Sequence, residues 1–342
     1  MNGKTITCGG TLSAFCLQFD NPTGQLSAVS TMDWDQIRSI AAVDEDLVVV
    51  GQWNGGSQHV IARFNVHNRA LDWGFSAFAQ LASFRGVTFN PYLHLVVSVG
   101  FNDKRQVIVM ALDKNDGEQV WGFTYQISGL NAYANSVESL SGYGGSCLVG
   151  YVVDTFNGYR ISMLLMNINI FGTLTAISVL ANTGGNAIAL GLAVDADSGD
   201  VVLAGVEFYS NNVNMLITRV ANGGGSIVWT RQYSSSAEEQ FTDVIWNDVG
   251  VFVIGYSEAF ADSSRKKDLI IFHLNADNGE AVKSTRISGP YSIFCNSLAA
   301  FEHGLRIVCN DERDKALLLF VDILSLIPGD LPPEYSYHDD VG

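Results

Sequence analysis

Charge is scarce in this sequence, and positive charge is scarcest. Charged residues make up 16% of the 342 positions, against about 25% in an ordinary soluble chain, and 19 Lys and Arg stand against 35 Asp and Glu for a net charge of −16. A surface so acidic repels phosphate backbones and anionic membranes alike, which excludes nucleic acid as a partner class. Long apolar runs are missing too. The longest, ALLLFVDILSLI at 316–327, contains Asp322 and falls well short of the roughly 20 residues that cross a bilayer as a helix. No transmembrane segment is expected. The opening MNGKTITCGG has no basic start, apolar middle or small-residue cleavage site, so no signal peptide is read there. No Asn-x-Ser/Thr sequon with a permitted middle residue occurs, so N-glycosylation gives no support for secretion.

Patterns that carry chemistry are equally sparse. The six histidines, His59, His67, His94, His273, His303 and His338, are scattered, with neither the His-x-x-x-His nor the paired Cys-x-x-Cys spacing of a zinc site. There is no Gly-x-Ser-x-Gly elbow, no Gly-x-x-x-x-Gly-Lys cradle and no Gly-x-Gly-x-x-Gly ahead of a helix. No cofactor or metal is expected. DADSGD at 195–200 offers Asp195, Asp197 and Asp200, but it lacks the later bidentate glutamate of a calcium loop and reads as a hairpin turn. DKNDGE at 113–118 reads the same way.

What the sequence does contain is repetition. Short β-rich runs end in glycine at Gly9, Gly51, Gly100, Gly150, Gly205 and Gly255, and a seventh run, LRIVC, ends at Cys309. The intervals are 42, 49, 50, 55, 50 and 54 residues, the length of a unit of about four short strands. Downstream of each run lies a two-strand phrase: FDNPTGQLSAV, FNVHNRALDWG, LDKNDGEQVWG, INIFGTLTAIS, VANGGGSIVWT and LNADNGEAVKS. Its Asn, Asp and Gly residues suit a tight hairpin, where φ must be positive. Aligned on these turns, Trp73, Trp121 and Trp229 share one position near the start of the fourth strand of each unit.

Four antiparallel strands per unit, seven times over, with no periodic helix, predict an all-β fold: a seven-bladed β-propeller occupying residues 1–327, followed by a Pro/Tyr tail at 328–342. The repeat of an apolar strand, an L-x-x-x-x-G-x-x-x-W phrase and an aromatic tail resembles the repeats of secreted bacterial and quinoprotein-like propellers. Ala28, Ala176 and Lys283 stand where that pattern would carry Trp, and no quinone-binding pattern is present.

Two functional readings follow. Asp35, Glu138 and Asp243 fall on the innermost strands of three units, and Arg38 and Arg85 on two of them. Converging carboxylates at a channel mouth could bind carbohydrate or act as a glycosidase acid and base. The favoured reading is a non-enzymatic structural or interaction propeller whose partners are copies of itself. Low charge, 47% hydrophobic residues and a tail carrying Leu331, Pro332, Pro333, Tyr335 and Tyr337 suit a subunit buried against its copies, with those five residues as the interface. Prolines confine any pairing of that tail to sheet edges. Cys8 with Cys16, and Cys295 with Cys309, fall on neighbouring strands of the first and last units. Bridges there would mark an oxidising location and fit an extracellular filament or surface assembly, whereas five buried free thiols would not.

Overall fold

Val, Ile, Leu and aromatic residues fill most of the strands, and they are the side chains that fit a pleated surface. The computed structural model describes residues 4–9, 14–20, 25–32, 36–44, 46–53, 58–65, 70–78, 82–140, 145–156, 158–180, 185–209, 212–234, 237–258, 266–301, 304–311, 316–322 and 336–338. Strands β1 (Lys4–Gly9), β2 (Ala14–Asp20) and β3 (Gln25–Met32) make the first sheet. The second holds β4 (Gln36–Val43), β5 (Asp46–Trp53), β6 (Gln58–Asn65) and β7 (Ala70–Phe78). The third holds β8 (Ser83–Asn90), β9 (Leu95–Phe101), β10 (Val107–Asp113) and β11 (Gln119–Tyr125). In the fourth are β12 (Asn131–Ser139), β13 (Ser146–Asp154), β14 (Arg160–Ile168) and β15 (Leu174–Leu180). The fifth contains β16 (Asn186–Val194), β17 (Val201–Tyr209), β18 (Asn212–Val220) and β19 (Ile227–Ser234). The sixth contains β20 (Glu239–Asn247), β21 (Gly250–Ser257), β22 (Asp268–Leu274) and β23 (Ala281–Ile287). Strands β24 (Ile293–Phe301), β25 (Gly304–Asp311) and β26 (Ala316–Asp322) close the series, and β27 (Ser336–His338) joins the fifth sheet.

Within each sheet the repeat strands lie side by side in sequence order, and neighbouring strands pair antiparallel, as hairpin connection requires. The expectation of seven complete four-stranded blades is corrected. Among the described residues five sheets carry four repeat strands each and the first and last carry three, so the count of full blades is nearer six than seven. Among the described residues no strand pairs with β1 on the side away from β2, and β27 pairs with the fifth sheet. Among the described residues the sole helical element is one 3-10 turn at Ala221–Gly223.

By internal contacts the chain divides into two units. One comprises Met1–Leu148, Asp154–Phe156 and Asn167–Thr175; the other comprises Val149–Val153, Asn157–Met166 and Ala176–Gly342. Within each unit, sheets stack face to face. Side chains alternate across a strand, so β21 sends Val251 and Val253 into a cluster with Ala193, Val202, Met215 and Tyr233 of the fifth sheet. Its alternate residues, Phe252 and Ile254, meet Ile293, Leu298 and Ile307 of the last. Both faces are dry, which is why the middle strands read as unbroken apolar runs. In the first unit Val48, Val50 and Ile61 pack in the same way against Phe84, Val96 and Ile108. Each such side chain contributes about 1.5–3 kcal/mol on burial.

Four of the repeated glycines share one physical cause. Five innermost strands carry a β-bulge, at Arg38, Arg85, Leu190, Thr242 and Asn296. The residue just before the bulge lies opposite the glycine of the next strand: Ile37 opposite Gly51, Phe84 opposite Gly100, Ala189 opposite Gly205, Phe241 opposite Gly255. At Gly100 a Cβ would run into the carbonyl oxygen of Ser83. In the last sheet Cys295 and Cys309 occupy this same register and are joined by a disulfide. The backbones of Cys8 and Cys16 pair directly in β1 and β2. Cys147 is a free, buried thiol whose pKa is pushed up by desolvation and by the nearby charge of Glu138.

Candidate functional site

The tryptophans bind sheet to sheet. Trp73, Trp121 and Trp229 are each the first residue after a bulge on the fourth strand, and Ala28 and Lys283 hold the same register. Each indole N–H donates to a backbone carbonyl in the following hairpin: Trp73 to Lys114 at 2.9 Å, Trp121 to Ile170 at 3.1 Å, Trp229 to Ala276 at 2.8 Å. Two of these acceptors also receive an arginine. Arg63 binds Asp46 at 2.7 Å and donates to the Lys114 carbonyl, while Arg219 binds Asp200 at 2.7 Å and donates to the Ala276 carbonyl. Four residues further along the outer strands, the hydroxyls of Tyr125 and Tyr233 donate to the hairpin carbonyls of Gly172 and Gly279. The tyrosines were not singled out from sequence, although the Trp-x-x-x-Tyr spacing was there to be read.

The hairpin reading of DADSGD holds. Asp195 caps its own turn, with the Ser198 hydroxyl and Ser198 N–H donating to its carboxylate, and its pKa falls below the usual value despite some desolvation. Asp200 is committed to Arg219 and to the N–H of Asn222. Among the described residues no group of three or more His, Cys, Asp or Glu could hold a metal ion.

The sequence-nominated carboxylates fare differently. Asp35 lies outside the described residues. Glu138 sits on β12 in the first unit. Asp243, in the second, is the residue just after the bulge of β20. Its carboxylate accepts the N–H of Leu298 at 2.8 Å from the next innermost strand and that of Val244 at 2.9 Å, and Ser297 adds a side-chain hydrogen bond. Desolvation nevertheless pushes its pKa up to about 7. On its other side the backbone of Gly191 approaches so closely that a Cβ there would lie 2.8 Å from the Asp243 Cα. The post-bulge position of one innermost strand touches the next elsewhere too. Ser39 accepts the N–H of Val87 at 3.2 Å, and Gly86 abuts the backbone of Ser136 and Val137. Asp243 is thus a tie between sheets. An oxygen pair so committed is poorly placed to serve as a general acid or nucleophile.

The two arginines do come together. Arg38 and Arg85 project from the bulges of β4 and β8, near Gln52 of β5 and His59 of β6. An Nη of Arg38 reaches Gln52 at 3.5 Å, and the Gln52 amide nitrogen lies 3.2 Å from His59 Nε2. Arg85 stands over the ring of Phe101 at 5.3 Å, and that ring meets Tyr133 edge-on. Desolvation, then the charge of Arg85, lowers the Arg38 pKa to about 10. Desolvation, followed by both arginines, lowers that of His59 to about 4.

The tail supplies a further feature. Strand β27 pairs antiparallel with the outer strand β19, Gln232 with His338, Tyr233 with Tyr337 and Ser234 with Ser336. Of the five nominated interface residues, Tyr337 is in this strand, and Leu331, Pro332, Pro333 and Tyr335 lie outside the described residues. In the same unit a groove of about 590 Å³ is lined by Asp195, Asp197, Asp248 and Asp277 around Trp246 and His273.

No family model matches the sequence, and no curated protein does. Solved structures do match. The WD40 repeats of RRP9 superpose with a TM-score of 0.61 at 10% identity, over 95% of this chain and 89% of that one. The chain has a β-propeller fold. U3-55K gives a TM-score of 0.60 at 10% identity over 89% of this chain and 84% of its own, and the Neurospora crassa Pan2 WD40 domain 0.56 at 10% over 97% and 87%. Likeness at this identity is one of fold alone. It supports the propeller part of the resemblance read from sequence, and nothing in the match is specific to secreted bacterial or quinoprotein-like propellers. The repeat grammar they share is that of blades in general.

Proposed function

We propose that this propeller is an interaction scaffold without catalytic activity, and that copies of it assemble by exchanging the C-terminal strand. The observation that carries this reading is the pairing of β27 with the outer edge of β19. An edge strand offers unpaired N–H and C=O groups, and a segment that satisfies them within one molecule can satisfy them equally on a second. Leu331, Pro332, Pro333, Tyr335 and Tyr337 would anchor the exchanged tail. Exposed apolar residues on outer strands fit a surface that is covered in an assembly: Val120 and Phe123 on β11, Ile177 and Val179 on β15. Exchange that does not close on itself builds a filament. The Cys295–Cys309 disulfide favours an oxidising, extracellular setting for it. Counting the two three-stranded terminal sheets as blades would give such a subunit seven.

Deleting residues 328–342 and following size by light scattering and electron microscopy tests the reading. The intact protein should form oligomers or filaments, and the truncated one should melt cooperatively yet stay monomeric. An intact protein that is monomeric at all concentrations, or a truncated one that assembles equally well, overturns it.

A further inference from the structure

Hairpins of the fifth and sixth sheets bound the groove that carries Asp195, Asp197, Asp248 and Asp277 together with Trp246 and His273. No Lys or Arg lines it. Asp195 is spent on its own turn. Asp248 makes no side-chain hydrogen bond or ion pair among the described residues, and Asp277, 95% exposed, reaches Arg219 only at 3.9 Å. Carboxylates alone do not define a ligand, but His273 adds an independent observation. Its ring is 9% exposed and lines the same groove. Gly250 has no Cβ to hold the ring off, since one would lie 2.7 Å from Nε2, and Nε2 comes to 3.2 Å from the Val249 carbonyl oxygen. A carbonyl oxygen only accepts, so Nε2 carries the ring proton and Nδ1 is left as an acceptor. Desolvation lowers the pKa of this histidine, which keeps the ring neutral. Nδ1 is buried without a hydrogen-bond partner, an unfavourable state that a donating ligand relieves.

We propose that this groove docks a basic segment of a partner protein, anchored by an arginine side chain. Carboxylates and an open acceptor both call for a cation that donates hydrogen bonds. The cation is organic, because among the described residues no group of three or more His, Cys, Asp or Glu could hold a metal ion. Trp246 favours a guanidinium. Arg219 already lies 5.0 Å over its ring while pairing with Asp200, so stacking on this indole and binding a carboxylate are compatible here. Val249 and Val282, both exposed, line the groove as well and give apolar cover to the stem of a long side chain and to the residues flanking it. No residue of β19 or β27 lines the groove, so docking there is independent of the tail exchange.

The full chain is titrated with fluorescently labelled, end-blocked peptides that alternate arginine with alanine, lysine with alanine, or glutamate with alanine. Salt is held at about 0.15 M, where a screening length of about 8 Å suppresses long-range attraction to an acidic chain. Anisotropy should show saturable binding of the arginine peptide, weaker binding of the lysine peptide and none of the glutamate peptide. Asp248→Asn combined with Asp277→Asn should weaken the arginine peptide by about tenfold or more, the loss of two charge-assisted contacts. Both positions are exposed, so the fold should be kept. Asp103→Asn combined with Glu118→Gln removes the same charge from exposed positions of the first unit and should change affinity by less than about twofold. Equal losses from the two double variants would mean general attraction to a chain of net charge −16, and would overturn the proposal. So would an arginine peptide that does not saturate, or a groove variant that binds it as well as the intact protein. A lysine peptide that binds as tightly refutes the guanidinium anchor, and free N-acetylarginine amide that binds as tightly refutes docking of a segment.

Discussion

Trp229 donates its indole N–H to the carbonyl oxygen of Ala276 at 2.8 Å, across to the hairpin of the next sheet, and Arg219 donates to the same oxygen. One carbonyl therefore collects the outer strand, the third strand and, through Asp200, the turn that leads into the second strand of the preceding sheet. Trp73, Arg63, Asp46 and the Lys114 carbonyl repeat the arrangement in the other unit.

Replacing Trp229, which is 6% exposed, with Ala should destabilise the protein by about 3–5 kcal/mol, read from urea unfolding. Trp229→Phe keeps most of the apolar contact and should lose less, leaving Ala276 to Arg219. Equal losses from the two substitutions would show that the hydrogen bond, rather than packing, dominates.

Asp200→Ala strands Arg219 in a setting where its side chain is 16% exposed, and the expected cost is about 3–5 kcal/mol. Adding calcium or a chelator should leave the melting temperature of the intact protein unchanged, because the carboxylates of the 195–200 loop are occupied by the loop and by Arg219.

Gly279 has φ of +73° and lies against the indole of Trp229, with a Cβ placed 2.7 Å from the ring. Gly279→Ala should therefore lower stability by about 1–3 kcal/mol through backbone strain alone, with the clash adding to it. Gly199→Ala has the same φ but meets open space, and the difference between the two melts isolates the contact.

Two groups should tilt stability against pH in opposite directions. Asp243 titrates near 7 in the folded protein and near 3.8 unfolded, so the folded state binds more protons between those values and stability falls as pH rises through them. His59 titrates near 4 folded and near 6.5 unfolded, so the unfolded state binds more protons in that window and stability falls as pH drops through it. Asp243→Asn should remove the loss toward pH 7, and His59→Gln the loss toward pH 4, in denaturant melts taken at several pH values. A slope unchanged by either substitution would contradict the assigned titration.

The strand grammar was legible because its cause is local: a hairpin needs Asn or Gly, and at four of the five bulges the facing strand carries glycine, with Cys309 taking that register in the fifth. Gly51, Gly100, Gly205 and Gly255 mark that register, and Trp73, Trp121 and Trp229 mark the fourth strand. The bulges themselves were hidden, since Leu190, Thr242 and Asn296 share no chemistry with one another or with Arg38 and Arg85. Asp243 looked like a candidate acid because sequence cannot distinguish a carboxylate that waits for substrate from one that holds Leu298. Nor could it place the tail, whose pairing with β19 joins segments separated by about a hundred residues and depends on tertiary geometry.

That pairing has a mechanical meaning. Strand β27 is clipped onto the fifth sheet, not the sixth or the last, so the pairing of Ser234 with Ser336 closes a loop in the chain. Tension applied at the C-terminus would be borne first by three residue pairs on β19, and β26, although nearer to that end in sequence, would feel the load only after the clip opened.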